Sequence, residues 1–226
     1  MATTPIADIK RRILNFVNVV ELGSPNDRFD DISILPDGIN GRLQITYGLS
    51  QADEKSDLLP LLKTYEGNKG TLANQLHPFL SRINDVGGTL VQDTVFKNLL
   101  KQAANDPIMQ TTQSDFRDTR FFQPASNYFN ANGFQLPLSL LVIYDSWFQS
   151  GGILPFLLRK VPTKLPVNKN TEKDWTKQYV DVRNTWLINK GGVFKISAQR
   201  TKCFQTQITN GNWDLSQRIK FGGFDI

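Results

Sequence analysis

The spacing of apolar residues predicts a helix near the start of the chain. Apolar residues recur every three or four positions, which places them on one helical face: Ile6, Ile9, Ile13, Val17 and Val20. Thr3, Thr4 or Pro5 marks the start, and Gly23-Ser24-Pro25 ends the helix. Glu21 therefore falls in the last turn of a helix with a buried face.

A strand pattern follows this helix. Phe29 to Leu35 alternates in the manner of a short strand, and Leu43 to Leu49 resembles a returning strand. Between them, Asp37-Gly38 and Asn40-Gly41 are typical of a turn. These patterns predict a small hairpin or three-stranded element over about residues 29–49.

The rest of the chain is predicted to be helical, which gives a mainly helical α+β fold. The helical patterns are Leu58-Leu59-Leu62-Tyr65, Leu72-Leu76-Phe79-Leu80-Ile83, Val95-Leu99-Leu100 and Trp175-Tyr179-Val182-Trp186-Leu187. Leu136 to Phe148 is the most apolar segment and predicts a central helix of the larger lobe. Its Asp145 would be costly to bury without a partner. Lys164 to Lys173, a polar loop, is the best candidate for a linker.

Length and composition limit the classes of protein. A chain of 226 residues can form one large domain or two closely packed lobes. No apolar run reaches the roughly 20 residues of a membrane-spanning helix, so we expect no membrane partner. The single cysteine, Cys203, excludes an internal disulfide and a multi-cysteine zinc site. We expect neither a metal nor a cofactor.

The first ten residues lack the features of a secretory signal. We expect an extracellular or periplasmic protein whose signal is absent from this sequence. A cytoplasmic location is the alternative.

The charge is unevenly distributed along the chain. The net charge is +5, but residues 21–57 contain eight acidic and three basic residues. Elsewhere the basic residues are scattered, and Lys10-Arg11-Arg12 is the only run of three, which argues against nucleic acid as a partner. The acidic segment is better suited to a cationic ligand.

Two carboxylates in this acidic segment indicate a glycoside hydrolase. Glu21 and Asp37 lie sixteen residues apart, and cleavage of a glycosidic bond requires two carboxyl groups and a held water. The hydroxyl of Thr46 could hold that water beside Asp37. Asp37 could instead be a turn residue that bonds its own backbone, and Asp30 and Asp31 compete as the second carboxylate.

The sequence contains few other residues that could act as a nucleophile or base, with one histidine and one cysteine. His77 is the only histidine and precedes Pro78, so we expect a helix-surface residue. Cys203 has no histidine near it in sequence, and we expect it to be packed rather than reactive. A serine or cysteine hydrolase is therefore disfavoured.

A series of short motifs resembles the chitosanases of glycoside hydrolase family 46, from about Ile6 to Asp225. The motifs are Glu21, Asp37-Gly38, Arg42, Ile45-Thr46-Tyr47-Gly48, Asp57-Leu58-Leu59, Asp106-Pro107-Ile108-Met109, Phe121-Phe122-Gln123-Pro124-Ala125, Pro137-Leu138, Tyr144-Asp145-Ser146, Asp181-Val182-Arg183, Gln199-Arg200 and Gly211-Asn212-Trp213-Asp214-Leu215. Each motif is weak alone, but their order and spacing together are specific. The resemblance implies a single lysozyme-like catalytic domain over residues 1–226, mainly helical, with two lobes and a cleft.

The resemblance also implies roles for individual residues. Glu21 would be the general acid, Asp37 the general base, and Thr46 would help to hold the attacking water in an inverting reaction. Arg42 and Asp57 would bind substrate, with Asp57 recognising a glucosamine unit.

The resemblance further implies an ion-pair network behind the acid. Arg200, Asp145 and Arg183 match its positions, and the network would orient Glu21 and tune its protonation. The alternative is that these salt bridges only stabilise the fold and have no role in catalysis.

The chain departs from the family pattern around the substrate residues. Between Asp37 and Thr46 it has extra residues, among them Ile39-Asn40-Gly41 and Gln44, and Ile32 to Leu35 lacks acids that family members carry there. Gly48-Leu49-Ser50-Gln51 also differs from the usual continuation. The alternatives are therefore a peptidoglycan hydrolase and a catalytically silent glycan- or cell-wall-binding protein. We expect a monomeric, endo-acting inverting hydrolase of β-1,4-linked glucosamine polymers.

Overall fold

The computed structural model describes residues 6–36, 38–83 and 89–226 of the protein. In chain order its elements are α1 (Ile6–Leu22), β1 (Ile32–Leu35), β2 (Gln44–Tyr47), β3 (Ala52–Asp53), α2 (Leu58–Gly67), α3 (Ala73–Leu80), α4 (Thr94–Ala103), α5 (Pro107–Arg117), α6 (Gln123–Ala131), α7 (Pro137–Ser150), α8 (Pro155–Leu158), α9 (Glu172–Lys190), α10 (Gly192–Thr209), β4 (Lys220–Phe221) and β5 (Phe224–Asp225). The expected mainly helical α+β class is confirmed. No helix in the described part of the chain is long and apolar enough to cross a membrane.

The chain divides into two compact units. The first contains the residues up to Pro25 together with Arg120–Ile226, and the second contains Asn26–Thr119. The linker predicted at Lys164 to Lys173 is therefore wrong, since this segment lies inside the first unit. Val167, in the middle of the segment, is buried and its N–H donates to the carbonyl of Asn132 at 2.9 Å. This backbone hydrogen bond joins the segment to the rest of the first unit, although its composition is typical of a loop.

The first unit is built around α7, as its apolar sequence predicts. Leu138, Leu141 and Val142 are fully buried in its core. Polar contacts join α7 to α9 along its length. The carboxylate of Glu172 accepts from the N–H groups of Gln135 and Leu136, where α7 begins. Further along, Ser139 contacts Thr176 and Tyr179 donates to Ser146, so the register between the two helices is fixed.

The second unit contains the small sheet, which is the three-stranded form of the predicted element. β1 begins three residues later than predicted, β2 is shorter at both ends, and β3 (Ala52–Asp53) extends the sheet beyond residue 49. The strand order is β1-β2-β3, antiparallel throughout, with Ser33 opposite Thr46 and Thr46 opposite Asp53. All four residues of β2 are buried, including Gln44 and Thr46. Simple alternation therefore fails in this strand, because both of its faces are covered.

A buried aspartate holds three segments of the second unit together. The carboxylate of Asp106 accepts from the hydroxyl of Tyr65 at 2.6 Å and from the N–H groups of Thr71 and Ile108. Gly70 makes room for the tyrosine, since a Cβ there would lie 2.0 Å from its ring. Desolvation alone would raise the pKa of Asp106, but the hydrogen bonds from Tyr65, Thr71 and Ile108 outweigh it and lower this pKa to about 2.

We predict that the ionised carboxylate of Asp106 stabilises the fold and that this stabilisation is lost at acid pH. Because its donors bind the ionised form, the contribution of about 2 kcal/mol is complete above about pH 5 and is lost as the pH falls toward 2. Asp106→Asn should lower the free energy of unfolding at pH 7 and flatten its decline below pH 5, as measured by urea unfolding across this range. Asp115→Asn, which alters an exposed aspartate of α5, is the control and should follow the wild type. Parallel pH profiles for wild type and Asp106→Asn would contradict the prediction.

Candidate active site

Glu21 lies in the last turn of α1, where the sequence predicts it. Its side chain is 24% exposed, and its Oε1 accepts a hydrogen bond from Nη2 of Arg200 at 2.7 Å. Arg200 comes from α10, 179 residues away in sequence. The helix face below Glu21 is anchored by Ile13, Phe16 and other buried residues, so the backbone that carries this carboxylate is fixed by packing.

Asp145 links Arg200 to a second arginine behind Glu21. Its Oδ1 accepts from Nη1 of Arg200 at 3.0 Å, and its Oδ2 accepts from Nη1 of Arg183 at 2.6 Å. Asp145 is completely buried, and the two arginines are 4% exposed or less. With Glu21, the network contains two carboxylates and two guanidinium groups, so its formal charges cancel. Burial of these charges is tolerable because each has an oppositely charged partner.

The geometry supplies the partner that Asp145 requires in its apolar helix. The ion pairs expected from the sequence are present, while a catalytic role for them stays a prediction. Gln149, one turn further along α7, was not anticipated. Its Oε1 accepts from Nη2 of Arg183, so both ends of that guanidinium are held. No sequence motif marks this residue, although its spacing of four from Asp145 places both on one helical face.

Arg200 remains fully charged in this setting. Desolvation alone would lower the pKa of its guanidinium, but the charges of Asp145 and Glu21 more than compensate and raise that pKa. The network therefore presents a permanent cation to the glutamate. Such a cation fixes the orientation of Glu21 through a charge-assisted hydrogen bond.

The predicted base, Asp37, lies outside the described residues, but the turn that follows it is described. The N–H of Gly38 donates to the carbonyl of Arg42 at 2.9 Å, and the N–H of Gly41 donates to that of Gly38 at 3.0 Å. A Cβ at position 38 would lie 2.8 Å from the Arg42 oxygen, so glycine is required for this closure. The predicted turn is present, and the side chain of Arg42 is exposed.

Thr46 occupies β2 in the same unit. Its hydroxyl donates to Oε1 of Gln51 at 2.7 Å. Asp31, a competing candidate for the second carboxylate, is occupied by Arg28 at 2.8 Å and by the amide of Gln51 at 2.9 Å. Asp30, the other competitor, is exposed.

The sequence pattern of a known protein family matches most of the chain. The sequence pattern of glycosyl hydrolase family 46 matches residues 15–219, which include Glu21, Asp37, Thr46 and the ion-pair network. The chain belongs to glycosyl hydrolase family 46.

One curated relative within family 46 is the chitosanase of Nocardioides sp. (strain N106). It is 26% identical over 174 residues, which cover 73% of this chain and 61% of the relative. The match thus spans less than two thirds of that protein's length.

Solved structures of family 46 show the same fold. The chitosanase of Gynuella sunshinyii in complex with chitotetraose is 21% identical, with a TM-score of 0.82 over 99% of this chain and 98% of its own. The native chitosanase of Bacillus subtilis MY002 is 22% identical, with a TM-score of 0.81 over 99% and 100% of the two chains.

Asp57 is the N-cap residue of α2, and its backbone carbonyl accepts from the N–H of Leu61 at 3.0 Å. Its side chain makes no capping hydrogen bond, although aspartate is a preferred residue at this position. A contact between Asp57 and a ligand stays a prediction.

The acidic segment exposes less negative charge than its sequence indicates. Asp27 pairs with Arg117 at 3.2 Å and Asp31 with Arg28. Glu54 is only 6% exposed, and its carboxylate accepts from the N–H of Ile45 at 3.0 Å. Burial raises the pKa of Glu54, and the bond from Ile45 opposes this shift. The local field is therefore weaker than eight exposed carboxylates would produce.

His77 and Cys203 are placed as the sequence predicts. His77 is exposed and contacts Glu66 at 2.6 Å. Cys203 is buried in the first unit, and burial raises the pKa of its thiol to about 11. Within residues 6–36, 38–83 and 89–226, no group of three or more His, Cys, Asp or Glu residues could hold a metal ion.

We predict that Asp145 is essential to the stability of the first unit. Asp145→Ala leaves two buried guanidinium groups close together without their shared partner, which should lower the free energy of unfolding by about 3–5 kcal/mol. Urea unfolding at pH 7 measures this change. Asp8→Ala is the matched control, because it breaks the exposed ion pair with Arg11 and should cost less than about 1 kcal/mol. Similar small losses in both variants would show that the network does not support the fold.

Proposed function

We propose that this protein is an endo-acting inverting hydrolase of β-1,4-linked glucosamine polymers. The observation that carries the proposal is the contact between Glu21 and Arg200, backed by Asp145 and Arg183. A glutamate held in one orientation by an ion-pair network is preorganised for proton transfer. Membership of family 46 supports the reaction class.

Glu21 is the general acid in this proposal. Arg200 contacts Oε1, which leaves Oε2 to carry the proton that is delivered to the glycosidic oxygen. Partial exposure of the side chain, at 24%, gives a substrate access to that proton. The bond between the anomeric carbon and this oxygen breaks as the proton arrives, and an oxocarbenium-like centre develops on the sugar.

Asp37 is the proposed general base, and Thr46 holds the water. A water oxygen attacks the anomeric carbon while one of its protons passes to the carboxylate of Asp37. Its other O–H donates to the hydroxyl oxygen of Thr46, which leaves a lone pair for the new carbon–oxygen bond. Attack on the face opposite the leaving group inverts the configuration, so a β-linked polymer yields an α-anomer at the new reducing end.

Glucosamine is the proposed sugar because its ammonium group suits the acidic segment. Asp57 is the proposed direct contact, because the resemblance to the family 46 chitosanases implies that this position recognises a glucosamine unit. The relatives are named as chitosanases, and one of their structures is described as a complex with 6 GlcN. These names support chitosan as the substrate. We propose that the protein acts as a monomer.

Product analysis is the experiment that tests the proposal. The protein is incubated in parallel with chitosan, chitin and peptidoglycan, and soluble products are identified by mass spectrometry. We expect glucosamine oligomers of several lengths from chitosan, with the α-anomer first in proton NMR spectra recorded at early times. Soluble products only from peptidoglycan would reverse the substrate assignment. No products from any polymer would favour a silent glycan-binding protein.

We predict that Glu21→Gln lowers kcat on chitosan by roughly 100- to 10,000-fold. Glutamine keeps the shape of the side chain and an oxygen that can accept from Arg200, but it has no acidic proton to transfer to the glycosidic oxygen. Circular dichroism and thermal unfolding should show an intact fold. Glu66→Gln, which alters a surface glutamate paired with His77, is the control and should retain wild-type turnover. Wild-type kcat in Glu21→Gln would disprove the assignment of the acid.

We also predict that Asp57→Asn raises KM on chitosan by about fivefold, corresponding to about 1 kcal/mol for an ion pair. Added salt should raise KM for the wild type more than for Asp57→Asn, because screening acts on the charge that the variant lacks. Asp115→Asn, which removes an exposed charge elsewhere in the second unit, should keep the wild-type salt response. Equal salt responses in wild type and Asp57→Asn would show that Asp57 does not contact the ammonium group.

A further inference from the structure

A chain of polar contacts leads to Thr46 from the turn between β2 and β3. Arg28 contacts Asp31 at 2.8 Å, and Asp31 accepts from Nε2 of Gln51 at 2.9 Å. Gln51 in turn accepts from the hydroxyl of Thr46 through its Oε1 at 2.7 Å. All four residues belong to the second unit.

The surroundings of Gln51 determine which way its amide faces. Its Nε2 lies near two groups that can only accept hydrogen bonds, the carboxylate of Asp31 and the carbonyl of Gly48 at 3.1 Å. The reversed amide would place Oε1 against both acceptors, which is unfavourable. Oε1 must therefore face Thr46.

The fixed amide also determines what the threonine hydroxyl does. An amide oxygen has no proton to give, so the hydroxyl of Thr46 must donate to Gln51. A hydroxyl has one proton and two lone pairs, and its proton is committed in this contact. Thr46 consequently presents an acceptor to any water beside it.

The backbone at Gln51 adopts a left-handed conformation in a tightly held turn. Gln51 has φ of 48°, a left-handed conformation that glycine or asparagine adopts at lower cost. The turn is held by Gln113, which accepts from the N–H of Leu49 and donates to the carbonyl of Phe29. Gly48 is required there, because a Cβ would lie 2.2 Å from the Gln113 oxygen. Gln51 therefore makes its contacts with Thr46 and Asp31 from a backbone conformation that is costly for a residue with a side chain.

We propose that Gln51 is a positioning residue that locks the Thr46 hydroxyl as a hydrogen-bond acceptor for the attacking water. The inference rests on the proposed function, since it assumes that Thr46 holds this water. The water must give one proton to Asp37 and point its other O–H at an acceptor. If the Thr46 hydroxyl could rotate, it would in part donate to the water, which ties up one of the two lone pairs of the water oxygen and leaves one of its O–H groups without an acceptor.

The first test is Gln51→Gly, which removes the amide and relieves the left-handed backbone. We expect kcat on chitosan to fall about tenfold, equivalent to about 1.4 kcal/mol in the activation barrier, with KM within twofold of wild type and Tm unchanged or higher. Lys69→Gly is the matched control, because Lys69 is an exposed residue of the same unit with φ of 60°. It should keep wild-type kcat. An unchanged kcat in Gln51→Gly would overturn the proposal.

A double-mutant cycle separates orientation of the hydroxyl from a general effect on the fold. Thr46→Val removes the hydroxyl, so adding Gln51→Gly to it should cause little further loss of kcat. Gln51→Met, which keeps the side-chain length but has no amide, should reproduce the loss in the wild-type background only. Equal losses with and without the Thr46 hydroxyl would overturn the positioning role. Turnover of chitosan by the wild type in the same assay tests the proposed function separately, and its absence would remove both proposals.

Discussion

The fold of the first unit depends on pairing the buried carboxylate of Asp145. This carboxylate lies in the most apolar helix of the chain and is fully buried, so it needs counter-charges from elsewhere. Arg183 of α9 and Arg200 of α10 supply them, and Arg200 extends the pairing to Glu21 of α1. Four helices must therefore pack in one arrangement for the charges to be satisfied. The same requirement fixes the position of Glu21, so the network that supports the fold also holds the proposed acid.

The second unit positions its groups by turn geometry instead of buried charge pairs. The segment between β2 and β3 reverses within a few residues, with left-handed conformations at Gly48 and Gln51. Gln113 holds this turn from the inside, and Gln51 connects it to Thr46 and Asp31. Neutral amides serve well here because each has a donor and an acceptor at fixed positions. In this turn they fix the direction of the Thr46 hydrogen bond with an uncharged partner.

The two units carry net charges of opposite sign, which the net charge of the whole chain does not reveal. The first unit contains 17 Lys and Arg against 8 Asp and Glu, whereas the second contains 9 against 13. A net charge of +5 would disfavour a cationic polymer if it were spread evenly. The negative balance of the second unit, where Asp57 and the proposed base are found, reconciles a basic protein with the glucosamine polymer proposed as its substrate. Buried Glu54 and the paired Asp27 and Asp31 reduce the field that this unit presents.

The sequence alone determined the features that follow from local patterns. Helical spacing located α1, the most apolar segment located α7, the Asp-Gly and Asn-Gly pairs located the turn before β2, and the order of short motifs indicated the family. It also showed that Asp145 needed a partner, because a charge in an apolar helix is costly wherever the helix packs. Only the tertiary structure decided where the polypeptide divides into two units, that Glu54 is buried, and that Gln149 and Gln51 complete the polar networks. These depend on contacts between residues distant in sequence and on backbone angles such as that of Gln51, for which no local pattern provides a signal.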